Sequence, residues 1–237
     1  MENEKMISEG KCVYCKETFA KAGITKHLAA HLKKIASEKP QSAKAFHVRV
    51  EAADYFINLL VNGDAQLVDL DDYIRAIWLE CCGHMSSLVE KGKDYATDWD
   101  ADDSSFGEDM SQPMKDVFRK GQKLVYEYDF GSTTQLEVKV IEEYGIAVND
   151  DIKLLSRNEP LKIVCEVCKT KAAAMICTAH DWNESTLFCK TCAKKHAKEC
   201  TDFEDMSFKL VNSPRTGVCA YEGGSIDKQR DGVWKEK

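Results

Sequence analysis

The chain contains eleven cysteines and six histidines, and most of them fall into two short segments with regular spacing. Pairs of the types Cys-x2-Cys and His-x3-His place two metal-binding side chains on one tight turn or on successive turns of a helix. Cysteines combined with histidines in this way indicate metal binding more than disulfide formation, and zinc suits such ligands best. The spacing therefore predicts zinc sites near both ends of the chain.

The first segment has the spacing Cys-x2-Cys-x11-His-x3-His, which is typical of a ββα-type zinc finger, and we place this finger at residues 1–35. Phe19 and Ile24 stand where such a finger needs its two small-core residues. Since the ligand spacing and the apolar spacing agree, a real zinc site is favoured over coincidence. The predicted ligands are Cys12, Cys15, His27 and His31.

Nucleic-acid binding by this finger is less well supported. Base-reading fingers usually occur in tandem, and a single finger gains little specificity. A lysine-rich helix face is more often only a solvated surface, although it could also contact phosphates. The lysines concerned are Lys16, Lys21, Lys26, Lys33 and Lys34.

The second segment, residues 161–202, carries eight candidate ligands in four pairs. Their order resembles a B-box-like or RING-like cross-brace, in which the first and third pairs share one zinc ion and the second and fourth pairs share another. Each ion would then have four protein ligands and no open position for an activated water. The resemblance implies a first site of Cys165, Cys168, Cys189 and Cys192 and a second site of Cys177, His180, His196 and Cys200.

A single ribbon-type zinc ion bound by the first and third pairs is the competing interpretation of this segment. We favour two ions, because so short a segment cannot bury a sufficient core without cross-links. Together with the finger, this predicts three Zn2+ ions as cofactors.

Charge is distributed unevenly along the chain. The net charge is +5 for residues 1–49, −14 for 50–160, +3 for 161–200 and −1 for the remainder. Nucleic acid would have to bind through the basic ends, since the acidic middle repels phosphate. The sequence shows neither an apolar stretch long enough to cross a bilayer nor a secretory signal, so we expect a soluble, cytoplasmic protein.

The elements between the two cysteine-rich segments predict an α+β domain at residues 45–160. Residues 36–44 have no apolar period and contain a proline, which predicts a linker. Alternating apolar residues predict strands at 46–50 and 55–61, and an antiparallel hairpin at 124–130 and 136–140. A helix is expected after Asp69, Asp71 and Asp72, which suit its positive end, and a further strand near 86–90. The aperiodic acidic residues 98–103 are predicted to form a loop.

Two stretches of the central domain resemble the plasmid pRiA4b ORF-3-like family, whose members are also described as insertion-element passenger proteins. The first runs from Leu67 to Leu88 and includes Trp-Leu-Glu-Cys-Cys-Gly-His-Met-Ser, and the second is Tyr-Glu-Tyr-Asp-Phe-Gly at 126–131. The resemblance covers about residues 44–155. It implies an α+β fold and a bacterial or mobile-element context. The zinc motifs at both ends depart from the shorter members of the family, so we expect a central antiparallel sheet with packed helices, flanked by small zinc-binding modules. The resemblance transfers no catalytic residues.

The remaining cysteines and histidines are interpreted as structural. Cys81 continues the apolar face of the predicted helix, so packing is favoured over metal binding for Cys81 and Cys82. His84 follows a helix stop at Gly83, where hydrogen bonding to helix-end carbonyls is favoured over a ligand or general-base role. Cys219 lies in a turn-rich tail, residues 203–237, without a base placed to activate it.

Taken together, the sequence predicts a zinc-binding adaptor whose partner is a protein more readily than a nucleic acid, with no enzymatic activity and no membrane contact. Phosphate-binding loops, dinucleotide glycine patterns, hydrolase elbows and open metal motifs are not found. The alternative is an enzyme with a site in the central domain, drawing on His84, Asp129 or Cys219.

Overall fold

The computed structural model describes residues 6–97, 107–179 and 186–226, and these divide into two compact units. The larger one, here called the sheet unit, comprises Ser8–Arg75 and Gly83–Glu159. The smaller one, here called the C-terminal unit, comprises Met1–Ile7, Ala76–Cys82 and Pro160–Lys237. The predicted acidic loop at 98–103 lies outside the described residues.

The sheet unit is built on an eight-stranded sheet with the order β10-β4-β3-β9-β8-β5-β6-β7. All neighbouring strands are antiparallel except β6 and β7. The α+β class is thereby confirmed, with the sheet as the dominant element. The strands are β3 Ala45–Ala52, β4 Tyr55–Asn62, β5 Ser86–Glu90, β6 Lys93–Ala96, β7 Glu108–Asp109, β8 Lys123–Tyr128, β9 Thr134–Tyr144 and β10 Ile152–Arg157.

Strand positions follow the apolar patterns of the sequence. β3 and β4 form the first hairpin, and β8 and β9 form the predicted later one. Residues 56–61 of β4 are all buried, so this central strand is covered on both faces and its sequence is continuously apolar except for Asn58. Asn58 is hydrogen-bonded to His47 of β3, which satisfies both buried side chains in part.

A hairpin and a helix at the N-terminus pack into the sheet unit. They are β1 Glu9–Lys11, β2 Thr18–Ala20 and α1 Lys21–Glu38. Helix α1 buries Ile24, Leu28 and Leu32 in one core with residues of the sheet, including Phe56 and Leu155. The predicted finger is therefore part of the sheet unit, and the helix runs three residues into the segment predicted as a linker.

Helix α2, Leu67–Ile74, begins two residues before the predicted carboxylate cluster. Asp69 accepts a hydrogen bond from the backbone N–H of Gln66 and so caps the helix as expected. Asp71 does not act at the helix start. Its buried carboxylate accepts hydrogen bonds from the hydroxyls of Ser86 and Tyr126, both at 2.6 Å.

The C-terminal unit has a three-stranded sheet with the order β12-β11-β13. Its strands are short, and its buried cluster of Cys177, Phe188 and Ala193 is small. Strand β13 pairs with β11, so the sheet of this unit includes residues beyond position 202, where the predicted module ends. The elements are β11 Met175–Cys177, β12 Thr186–Phe188, α4 Lys190–His196, α5 Phe203–Met206 and β13 Ser207–Lys209.

The segment Ala76–Cys82, which follows α2 closely in the chain, belongs to the C-terminal unit. A π-helix at Arg75–Leu79 buries Trp78 completely, and the backbone oxygen of Trp78 accepts a hydrogen bond from the Ser213 hydroxyl at 2.7 Å. Arg215 and Tyr221 are also buried. Residues 213–221, predicted as a turn-rich tail, therefore pack within this unit. Among the described residues, the helices are all too short or too polar to span a membrane.

The short helix α3, Met114–Val117, completes the elements of the sheet unit. Pro113 precedes it at the N-cap position, and its buried residues are Met114 and Val117. Its backbone is tied to the β4–α2 connection, since the N–H of Met114 donates to the carbonyl of Ala65. This contact anchors the connection between β7 and β8.

Candidate metal centres

The two cysteines of the finger lie on a tight turn between β1 and β2. The backbone N–H of Lys16 donates to the carbonyl of Cys12, and the N–H of Cys12 donates to that of Glu17. Lys16 has a φ of 66°, a left-handed conformation that closes the turn around the two sulfur atoms. The N–H of Tyr14 donates to Cys12 Sγ at 3.4 Å. Such N–H donors stabilise a metal-bound thiolate.

Helix α1 supplies the histidines of the same site. His27 Nε2 lies 3.2 Å from Cys15 Sγ and 3.1 Å from His31 Nε2. In a tetrahedral zinc site, bonds of about 2.0–2.3 Å set ligand atoms about 3.3–3.8 Å apart. All four predicted ligand atoms lie within 4.8 Å of one another, so the structure assembles the ligand set that the sequence predicts.

The surroundings of His27 favour its neutral, ligating form. Burial and the neighbouring His31 lower the pKa of His27. Phe19 stacks on the ring, with the centroids 3.9 Å apart. Phe19 thus orients a predicted ligand, while Ile24 joins the core of the sheet unit.

Cys165, Cys168, Cys189 and Cys192 come together in the C-terminal unit as the cross-brace predicts. Cys168 Sγ lies 3.9 Å from Cys189 Sγ, far beyond the 2.05 Å of a disulfide and close to the edge of a zinc tetrahedron. None of the cysteines, all of which lie among the described residues, forms a disulfide. The first pair sits on a turn closed by Lys169, whose φ is 54°, and the second pair lies at the start of α4.

Hydrogen-bond donors surround the first cysteine pair. The Thr170 hydroxyl and the N–H groups of Thr170 and Lys171 lower the pKa of Cys168 to about 5. Burial and neighbouring thiols instead raise the pKa of Cys192 to about 12. Four thiols this close together repel one another once they lose their protons. All four become thiolates only when a bound cation offsets their negative charges.

The second and fourth pairs also converge. Cys177 on β11, His196 at the end of α4 and Cys200 form a group of potential ligands. The ring of Phe188 stacks on His196 with the centroids 4.5 Å apart, and Phe203 contacts its edge. The remaining predicted ligand, His180, lies outside the described residues. The pairing of the cross-brace therefore agrees with the structure at seven of its eight positions.

A further cluster forms where the sequence favoured packing. Cys82 Sγ lies 3.7 Å from Cys81 Sγ and 3.6 Å from Cys219 Sγ. Cys82 and Cys219 are exposed, so packing in the core is the wrong interpretation of Cys82. In the sequence, His84 follows Cys82 after one glycine. Hydrogen bonds with the thiols of Cys219 and Cys81 raise the pKa of Cys82 to about 12.

One signal in the sequence could have revealed this cluster. Cys-Cys-Gly-His places three residues of metal-binding type within four positions, a density that packing does not require. The third thiol, Cys219, is 137 residues from Cys82, and only the fold brings the two together. Two of the three residues named for the enzyme alternative lie close together in the sheet unit, since His84 Nε2 is 3.5 Å from Asp129 Oδ2.

The described residues thus define an α+β protein with four Cys/His clusters whose geometry is compatible with zinc. No protein-family model and no curated protein matches the chain. One solved structure that it resembles is a protein of unknown function from Methanosarcina mazei Go1, with 16% identity and a TM-score of 0.39, over 48% of this chain and 67% of that one. This likeness is too low to support an argument about function, which has to come from the clusters themselves.

Proposed function

We propose that the protein is a zinc-stabilised adaptor, in which structural zinc ions in the finger and the cross-brace support a surface that binds an acidic segment of a partner protein. The observation that carries the proposal is the closed ligand set. In the finger and in the all-cysteine site, four protein ligands converge at tetrahedral spacing. Sites of this kind hold structure together, whereas catalytic zinc keeps an open position.

Contacts of α1 argue against base reading by the finger. A ββα finger reads bases with the residue before its helix and the third and sixth residues of that helix. Here these positions are Ala20, Gly23 and Lys26, and the first two have no side-chain donor. Thr25, on the same turn, is occupied by hydrogen bonds with Arg49 and Asn58.

The hairpin of the finger is also fixed to the sheet. The N–H of Val13 donates to the carbonyl of Leu155, and that of Glu159 donates to the carbonyl of Glu9, at 2.9 and 2.7 Å. A Cβ on Gly10 would lie only 2.7 Å from the Phe56 ring, so the two layers are in close contact. The finger therefore acts as a built-in part of the sheet unit.

A basic groove on the C-terminal unit provides a surface for a partner. It runs along α4 and is lined by four exposed lysines and one threonine. Lys190, Lys194 and Lys198 are spaced four residues apart, so they lie on the same side of α4 and of the turn that follows it. The lining residues are Lys190, Thr191, Lys194, Lys195 and Lys198.

The composition of this groove favours an acidic peptide over nucleic acid. Its lining contains no aromatic side chain on which a base could stack. The chain carries a net charge of −7, which repels a long phosphate backbone but acts less on a short acidic segment. Lysine and carboxylate side chains complement one another in charge, which steers association.

The test compares two charge-reversal variants of the full chain by fluorescence anisotropy. One combines Lys190→Glu, Lys194→Glu and Lys198→Glu, and its matched control combines Lys26→Glu, Lys33→Glu and Lys34→Glu on α1. The probes are a labelled glutamate-rich peptide and a labelled oligothymidine. We expect the peptide to bind the wild type and the α1 variant, and to bind the α4 variant about tenfold or more weakly.

Two results would overturn this proposal. If the glutamate-rich peptide fails to bind the zinc-loaded wild type, the groove is not an acidic-partner site. If oligothymidine binds more tightly than the peptide, with steep salt dependence and loss in the α1 variant, the protein is a nucleic-acid binder.

A further inference from the structure

Three cysteines of the C-terminal unit converge, and they are here called the thiol triangle. Cys82 Sγ lies 3.7 Å from Cys81 Sγ and 3.6 Å from Cys219 Sγ, and all three sulfur atoms lie within 4.8 Å of one another. Sulfur ligands of one zinc ion are about 3.8 Å apart, whereas a disulfide needs about 2.05 Å. The spacing is therefore that of three ligands sharing one metal ion.

The thiol triangle joins two segments of the same unit, Ala76–Cys82 and residues 213–221. The hydroxyl of Ser213 donates to the backbone oxygen of Trp78 at 2.7 Å, and both residues are buried. Farther along the chain, a side chain at Gly224 would collide with the backbone of the first segment. Close packing thus fixes both segments, so the sulfur atoms are held in position before any metal ion binds.

A buried arginine lies against one corner of the thiol triangle. Arg215 is fully buried, and its Nη2 donates to Cys81 Sγ at 3.6 Å. A positive charge next to a thiol favours the thiolate, which is the form that binds metal. Three thiolates keep a net negative charge after they bind Zn2+ or Cu+, so the guanidinium also stabilises the loaded site.

The other two corners of the thiol triangle are open to solvent. Cys82 and Cys219 are exposed, so a metal ion can enter without unfolding the unit. Cys219 and Ala220 have φ values of 51° and 52°, an uncommon conformation for residues other than glycine. Such strain persists where the surrounding structure imposes it, often at ligand sites. Packing of a core does not require exposed thiols in a strained turn, whereas presentation of a ligand does.

We propose that the thiol triangle binds one thiophilic metal ion with a filled d shell, Zn2+ or Cu+, through three thiolates. Soft thiolate ligands select these ions. Binding forms three metal–sulfur bonds and releases the three thiol protons to solvent, with no change in oxidation state. The ion cross-links the two segments of the C-terminal unit. This site is separate from the finger, the cross-brace and the basic groove.

The test counts metal ions per chain by native mass spectrometry on reduced, full-length protein under argon. One arm supplies Zn2+, and the other adds Cu+ from a bicinchoninate buffer to the zinc-loaded protein. Cys82→Ser and Cys219→Ser should each bind one ion fewer than the wild type, because each removes one of three thiolates. Glu222→Gln, an exposed neighbour in the sequence, should bind as many as the wild type.

The two arms identify the ion. If zinc occupies the thiol triangle, the difference between wild type and variants is present in the zinc arm. If copper does, the difference arises only after Cu+ is added. Cys12→Ser should lose one ion from the finger, and combining it with Cys219→Ser should lose two. The loss caused by Cys219→Ser alone does not depend on how many ions the finger and the cross-brace hold, so failure of the adaptor proposal is distinguishable.

A second measurement uses the wild type alone. Iodoacetamide labels exposed thiols, and a metal-bound thiolate reacts more slowly. Saturation with the ion should therefore slow the labelling of Cys82 and Cys219 about tenfold or more, measured by peptide mapping. Equal metal content in the wild type and in both serine variants, in both arms, would overturn the proposal. Labelling rates that neither metal changes would do the same.

Discussion

The finger and the cross-brace contain similar ligands but differ in what lies behind them. The finger helix packs Ile24, Leu28 and Leu32 into a core shared with the eight-stranded sheet. Among the described residues of the cross-brace, the buried cluster consists of Cys177, Phe188 and Ala193, and Cys177 is itself a potential ligand. On the proposed function, zinc adds to an existing core at one end and replaces a core at the other.

The largest effect should follow removal of zinc from the cross-brace. Structural zinc contributes about 10–16 kcal/mol in isolated zinc-finger peptides, far more than so small a core supplies. Chelation, or Cys189→Ser, should abolish amide protection in β11, β12 and α4 while β3, β4 and β9 stay protected. Hydrogen-exchange mass spectrometry measures both regions at once, and Cys12→Ser is the matched control. Protection of α4 that survives chelation would contradict the comparison.

A large loss of stability is also expected when the buried carboxylate of Asp71 in the sheet unit is removed, and this effect does not depend on a metal. Asp71 accepts hydrogen bonds from Ser86 and Tyr126, and Arg75 Nη1 lies 3.3 Å from it. Removing the carboxylate leaves these groups without their buried partner. Asp71→Ala should lower the free energy of unfolding by about 3–5 kcal/mol.

Urea denaturation of the chelated protein measures this loss for the sheet unit alone. Tyr126→Phe, which removes one hydrogen bond and keeps the ring, should cost only about 1 kcal/mol. Equal losses in the two variants would show that packing, and not the carboxylate, is what matters there.

The helix of the finger should depend on packing more than on its zinc. Leu28 is fully buried, and Leu28→Ala should lower the free energy of unfolding by about 2–5 kcal/mol. If α1 stays packed without metal, this loss is the same before and after chelation. Thermal or urea unfolding in both states provides the measurement, with exposed Ala30→Ser as the control. A loss confined to the zinc-loaded protein would mean that zinc holds α1 in place.

The smallest effect is expected from a charge cluster on β3. Burial acts to raise the pKa of Glu51, but the hydrogen bond from Lys139 and the charges of Arg49 and Lys21 outweigh it and lower the pKa to about 2. Because the folded pKa lies below the unfolded value, this carboxylate stabilises the fold above about pH 4.5, and the contribution is lost as the pH falls to 2.

Glu51→Gln should therefore destabilise the chelated protein by about 1 kcal/mol at neutral pH. The difference from wild type should shrink as the pH falls from 4.5 to 2. Urea unfolding midpoints at several pH values check this. A difference that does not vary with pH would contradict the ion-pair explanation.

Local patterns predicted much of the architecture. Alternating apolar residues indicated β3, β4, β8 and β9, and ligand spacing indicated the finger and the cross-brace groups. What local patterns could not show was which segments touch. Phe19 and Ile24 look like the core of a free finger, but the additional burial of Leu28 and Leu32 against Leu155 depends on a strand far along the chain.

The same limit explains the missed cluster. Cys81 has the spacing of a core residue, and its role changes only when Cys219 arrives from the C-terminal end. Asp71 is a similar case, since its place in the chain suggests a helix cap while its partner Tyr126 lies 55 residues away. The family resemblance and the acidic partner remain predictions.

The most direct test of the account is the zinc content of the full-length, reduced chain, purified without added metal and measured together with Cys12→Ser and Cys177→Ser variants. The finger and the cross-brace predict three zinc ions. Each of the two variants should lose one ion. One zinc ion or none in the wild type, or a content unchanged by both substitutions, would contradict the claim that zinc builds these modules.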